Sequence, residues 1–107
     1  MKIIKRNGSE VDFDVTKIVR ALGKANEAVE ENVRMTPLQI QRIAESVVLS
    51  CENLGHSPSV EEIQDMVEHQ LMELDKYTLA KAYIIYRYTR ALVRKQNTTD
   101  ESILSLL

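Results

Sequence analysis

Two helix starts in this sequence use the same chemistry, and together they fix most of what the chain can become. Thr36-Pro37-Leu38-Gln39 puts threonine at an N-cap, proline at the first helical position and glutamine three residues past the cap, a capping box. Ser59 and Glu62, after Pro58, form a second box. Behind the first, Ile40, Ile43, Ala44, Val47, Val48, Cys51 and Leu54 recur on one helical face until Gly55, which predicts a helix over 36–54. Behind the second, Ile63, Met66, Val67, Leu71 and Leu74 predict a helix over 59–75, with Met66 and Met72 as gap-filling core. Upstream, Asp14 or Thr16 caps a helix over 14–30 that carries Ile18, Val19, Leu22, Ala25 and Val29. Downstream, Ala80, Tyr83, Ile84, Tyr86, Arg87, Arg90 and Val93 predict a fourth helix over 78–95.

The only strand pattern lies at the start. Ile3 and Ile4 precede Asn7-Gly8, and Val11 and Phe13 alternate after it. Asn-Gly between two such runs signals a hairpin with a type I′ turn, here over residues 2–13. The expected fold is mainly α, a four-helix bundle capped by an N-terminal β-hairpin.

With 107 residues the chain is one small domain. Its formal net charge of −2 gives no argument for nucleic acid or a membrane surface, and it has no run of roughly 20 apolar residues to span a bilayer. The opening Met1-Lys2-Ile3-Ile4-Lys5-Arg6 lacks the apolar stretch of a signal peptide. Cys51 is the single cysteine, so an internal disulfide and a Cys-rich zinc site are excluded, and a reducing cytoplasm is expected. His56 and His69 have no convergent partners, so no metal site is expected; Glu61, Glu62, Asp65 and Glu68 read as a mostly solvated face.

The residues with binding chemistry are cations. Lys5 and Arg6 sit at the hairpin tip beside Gly8, and Lys17 lies in the first turn of the next helix. A hairpin folded onto that helix brings them together beside a helix N-terminus with free N–H groups, an arrangement able to hold a triphosphate. The same residues also read as solvated charges that keep an edge strand from pairing with other chains. No G-x-x-x-x-G-K phosphate loop and no G-x-G-x-x-G is present. No general base or water-positioning group accompanies the cations, which argues against an ATPase and leaves no catalytic residue to name. Tyr83, Tyr86 and Tyr88 are candidates either for stacking on a base or for core positions with a wet hydroxyl.

A resemblance adds to this. Ile4-Lys5-Arg6-Asn7-Gly8, then Val11, Phe13, Asp14 and the Lys17-Ile18 pair, is similar to the opening of the ATP-cone family. Val60 to Glu68 resembles that family's third-helix segment, and Tyr83-Ile84-Ile85-Tyr86-Arg87 its closing helix. The likeness covers about residues 2–95, in the family's order, with residues 96–107 a linker toward a catalytic domain of the same parent chain. It implies that ATP or dATP, with Mg²⁺, binds between hairpin and helices as an allosteric effector. Lys5, Arg6 and Lys17 are implied phosphate ligands, and Val11 to Lys17 the segment that wraps the nucleotide. Val60 stands near a position where the family often has threonine, and valine offers no hydroxyl there. Arg87 is either a further cation for the phosphates or a structural arginine paired with a carboxylate.

Such domains regulate ribonucleotide reductases, ATP leaving the enzyme active and dATP silencing it. The segment from Arg94 to Leu104 resembles the junction in anaerobic ribonucleoside-triphosphate reductases, with the aerobic diferric class as the close alternative, and Ile103, Leu104, Leu106 and Leu107 begin an apolar pattern that predicts more protein beyond. Two rival readings stand beside this one. One is the nucleotide-sensing cone of a DNA-binding repressor, opposed by the acidic pI of about 5.7 and the missing zinc ribbon. The other is a helical module that forms homo-oligomers through its fourth helix.

Overall fold

The structure, a computed structural model, describes the backbone of residues 1–5 and 7–106, with side chains up to 93 and at 95. Strands β1 (Lys2–Ile4) and β2 (Glu10–Asp12) pair antiparallel, Ile3 opposite Val11. Helices α1 (Thr16–Glu27), α2 (Pro37–Glu52), α3 (Val60–Glu73) and α4 (Tyr77–Leu106) follow, with a short 3-10 turn at Glu31–Val33. The fold is the expected one: helices capped by a small hairpin.

Local chemistry places the helix starts. Thr36 Oγ1 accepts the Gln39 N–H (3.2 Å), while Gln39 Oε1 accepts the Thr36 N–H (2.9 Å). Ser59 Oγ accepts the Glu62 N–H (3.1 Å), and Glu62 returns the bond to the Ser59 N–H. At α1 neither Asp14 nor Thr16 is the cap: the N-cap position is Val15, without a side-chain cap, and Asp14 Oδ1, one residue earlier, makes a local turn by accepting from the Thr16 N–H (3.0 Å) and hydroxyl (2.6 Å).

The helices form a closed ring of neighbours, α1 against α2 and α4, and α3 against α2 and α4. Each contributes one stripe to the centre: Ile18, Leu22 and Ala25; Ile40, Ile43, Ala44, Val47 and Cys51; Ile63, Val67 and Leu71; Leu79, Ala80 and Tyr83. Burying a side chain such as Leu22 or Leu71 contributes about 1.5–3 kcal/mol. No charged residue among those described is buried.

Four further expectations change. Asn7 does not have positive φ, and Gly8 does (86°). The Lys5 N–H donates to Ser9 (2.8 Å), and the Gly8 N–H donates to Lys5 (2.9 Å). Strand pairing therefore closes at Lys5 and Ser9 around a three-residue loop, one residue longer than a type I′ turn. Asn7 Oδ1 takes the Ser9 N–H (3.0 Å) and hydroxyl (2.7 Å), a local bond that competes with the two-residue turn. Leu74 and Met72 are exposed rather than core, because α3 ends at Glu73 and Met72 lies off the stripe of Ile63, Val67 and Leu71. Glu68 is not solvated; it faces α4 and pairs with Arg87. Finally, α4 does not stop at Lys95 but continues helical to Leu106, so the backbone of 96–106, expected as a linker, extends the helix.

Candidate functional site

The hairpin is tied to two helix starts at once. β2 leads through Phe13 and Asp14 directly into α1. β1 is fastened to the segment before α3: the Ile4 N–H donates to the Pro58 carbonyl (2.9 Å), and Ile4 bridges Ser59 in parallel. Ile3, Phe13 and Val15 pack against the helical core beneath. The N-termini of α1 and α3 therefore share the hairpin end of the bundle. Orphan N–H groups and the positive ends of two helix dipoles concentrate there.

Most of the residues expected at a binding site gather at this end. Ile4, Val11 and Phe13 are half-buried in or beside the hairpin, and Val60, also half-buried, is the first residue of α3 next to the Ile4–Ser59 bridge. Lys5, Asn7 and Gly8 are exposed in the loop, and Asp14 and Lys17 are exposed at the start of α1. Arg6 lies outside the described residues. Asp14 is held below the usual carboxylate range by the Thr16 hydroxyl and N–H, and Lys17 and Arg20 act on it in the same direction. Arg20 stands at i+3 from Lys17, which puts two cations on one side of α1. On the hairpin's outer side Lys2 and Asp12 pair across the strands (2.7 Å), both exposed.

Arg87, on α4, meets α3 further along from the hairpin. Its Nη1 donates to Gln64 Oε1 (2.8 Å), and its Nε lies 2.6 Å from Glu68 Oε1. Gln64 lies five residues past Ser59 on α3, about 7.5 Å along the helix from the hairpin bridge. Val60, Gln64 and Glu68 recur at i, i+4 and i+8, so one stripe of α3 runs from the hairpin to the Arg87 pair. From the sequence Glu68 reads as a solvated acid and Gln64 carries no chemistry; the i, i+4 spacing is the signal that aligns them. Tyr83 is buried beside this group. Burial pushes its phenol up to about 12, with Arg87 opposing the shift. Tyr86 is half-buried and Tyr88 exposed. A depression of about 230 Å³ lined by Ile84, Arg87, Tyr88 and Ala91 marks the surface of α4. It is smaller than the ~300–1,000 Å³ of ordinary ligand pockets.

The other candidates are local. His56 pairs with Glu62 (3.3 Å) and His69 with Glu73 (2.9 Å), both exposed. Among the described residues no three His, Cys, Asp or Glu side chains come together as metal ligands. Cys51 is buried 3.6 Å from Met66 Sδ, and burial pushes its thiol up, which suits a small core residue. No helix of the described residues is long and apolar enough to cross a membrane.

The model of the ATP cone domain family matches residues 1–92. The ribonucleoside-diphosphate reductase subunit alpha of Chlamydia trachomatis is 36% identical over 110 residues, 95% of this chain but 10% of that protein. The vitamin B12-dependent ribonucleoside-diphosphate reductase of Thermoplasma acidophilum is 37% identical over 89% of this chain and 12% of its own length. The anaerobic ribonucleoside-triphosphate reductase of Haemophilus influenzae is 31% identical over 90% of this chain and 13% of its own. The chain thus spans only a small part of the curated relatives it matches, and those relatives fall into three kinds of reductase.

Proposed function

The chain belongs to the ATP-cone family, and from that premise we propose that it is the allosteric domain through which adenine nucleotides set the activity of a ribonucleotide reductase. ATP keeps the parent enzyme active and dATP suppresses it. The observation that carries this reading is the fastening of the hairpin to Pro58 and Ser59. It confines Lys5, the Gly8 loop, Lys17 and two helix N-termini to one end of the bundle.

That end suits the ligand. Exposed ammonium groups at Lys5 and Lys17 attract a triphosphate without a phosphate loop. Gly8 lets backbone approach it closely, since nothing lies within 4 Å of where its Cβ would be. The Asp14 carboxylate, held ionised, is an acceptor for a nucleoside N–H or hydroxyl. Mg²⁺ accompanies the nucleotide on its phosphates. No step of nucleotide reduction is assigned to this domain; its partners are the nucleotide and the catalytic part of its parent chain. The segment from Arg94 to Leu104 favours the anaerobic triphosphate class for that parent.

ATP and dATP differ by one hydroxyl. A switch therefore requires that each favours a different conformation or assembly, because equal affinity for both states shifts nothing. The test is calorimetric titration with ATP, dATP and GTP in Mg²⁺, beside a Lys5→Ala, Lys17→Ala double variant. Selective binding of the adenine nucleotides, lost in the variant, is the expected result. No heat and no thermal stabilisation with any nucleotide would overturn the reading in favour of a structural helical module.

A further inference from the structure

We propose that Glu68 is a positioning residue for nucleotide binding, acting through Arg87; the inference rests on the nucleotide-binding reading above. The geometry is unusual for a pair that merely holds two helices together. The Glu68 side chain is 14% exposed and that of Arg87 30%. Glu68 Oε1 is fully buried, and its 2.6 Å approach to Nε lacks the alignment of a hydrogen bond. A half-buried carboxylate with one buried, poorly satisfied oxygen is costly, and such ion pairs are often no more stabilising than apolar residues of the same size.

The α3–α4 contact does not need it. Ile63, Val67 and Leu71 already meet Leu79, Ala80 and Tyr83 in a closed core. What the pair does accomplish is orientation. Glu68 holds the guanidinium at Nε and Gln64 holds it at Nη1, and neither contact uses Nη2. Two anchors on a planar fork fix its plane and leave the Nη2 donors for an acceptor. The anchored group lies on the stripe of α3 that begins at Val60, beside the docked hairpin. Phosphate oxygens are the acceptors that match a guanidinium edge. Asp65 and Tyr83 also face this group, and neither makes a hydrogen bond or ion pair with Arg87. Without Glu68 the side chain loses one anchor and turns toward solvent.

The test is a double-mutant cycle on ATP affinity using Glu68→Gln, which keeps the volume, Gln64→Ala as an independent release of the same guanidinium, and Arg87→Ala. Circular dichroism and melting verify that each variant folds. Glu68→Gln is expected to weaken ATP binding roughly tenfold, the loss of about one charge-assisted hydrogen bond. Gln64→Ala weakens it less, and neither has any further effect once Arg87 is alanine. The Arg87 Nε–H resonance moves when ATP binds to the wild type and broadens in Glu68→Gln. A purely structural Glu68 would weaken binding equally with or without Arg87, and that result overturns the proposal. So does an affinity in Glu68→Gln equal to or tighter than that of the wild type. If the wild type binds no nucleotide, the site and the positioning role fall together; if it binds and only the cycle is flat, the positioning role alone falls.

Discussion

Asn26 and Met35 hold each other by two reciprocal hydrogen bonds, the side-chain amide donating to the Met35 carbonyl (2.8 Å) and accepting the Met35 N–H (2.9 Å). The amide imitates a strand neighbour and satisfies both backbone groups of a residue that is 4% exposed and outside any helix. It also joins the last turn of α1 to the start of α2, with the 3-10 turn looped between. Because Met35 seals the bundle at the end away from the hairpin, this pair bears on stability and not on the ligand.

Asn26→Ala leaves both Met35 groups without partners and should cost about 2–3 kcal/mol. In a domain of this size that lowers Tm by at least about 8 °C. Asn26→Asp keeps the acceptor alone and should fall between the two. Thermal melting checks the stability, and ATP affinity, measured where each variant is folded, should match the wild type.

This pair also marks where the sequence stops being legible. The four helices and the hairpin were readable because Thr36-Gln39 and Ser59-Glu62 are local signals, and because Leu22, Val47, Val67 and Leu79 follow helical spacing. Met35 sits in no periodic run, so its burial depends on Asn26 folding back over nine residues, which no local rule encodes. Leu74 fitted the periodicity of α3, but Asp75, with φ of 59°, turns the chain away at that point. At the candidate site, Lys5, Gly8 and Lys17 were visible as chemistry beside a turn and a helix start. Glu68 looked like one more acid on a charged face, because only the crossing of α4 over α3 brings Arg87 to it.

The two capping boxes should respond differently to the same change. Thr36→Ala and Ser59→Ala each remove a side-chain acceptor for an N3 amide and should each cost about 1 kcal/mol. Ser59 additionally sets the backbone that Ile4 bridges. Ser59→Ala should therefore weaken ATP binding several-fold more than its stability loss explains, and Thr36→Ala should leave affinity unchanged. Equal affinities in the two variants would show that the α3 cap does not position the hairpin.

Gly8→Ala tests the loop. With φ at 86° an L-residue is strained by about 1–2 kcal/mol, while the open space around the missing Cβ adds no clash. The fold should persist with a slightly lower Tm, because the hairpin adds little to the helical core. The loop is expected to relax away from its Lys5–Ser9 closure, so ATP affinity should fall more steeply than stability. Gly8→Asn, which tolerates the left-handed region better, should recover part of both.

Tyr83 gives a pH signature that belongs to the fold itself. Burial raises its phenol to about 12, against an ordinary value near 10 in the unfolded chain. The folded state therefore keeps the proton where the unfolded state gives it up. The stabilisation is fully present below pH 10 and is lost as pH rises through 12, on the order of 2 kcal/mol across that window. Absorbance near the tyrosinate band should show Tyr83 ionising well above pH 10. Tyr83→Phe removes that late step and flattens the alkaline loss of stability. If every tyrosine ionises together near pH 10 while the helices remain intact, Tyr83 is not in the α3–α4 core, and the packing around Arg87 is other than described.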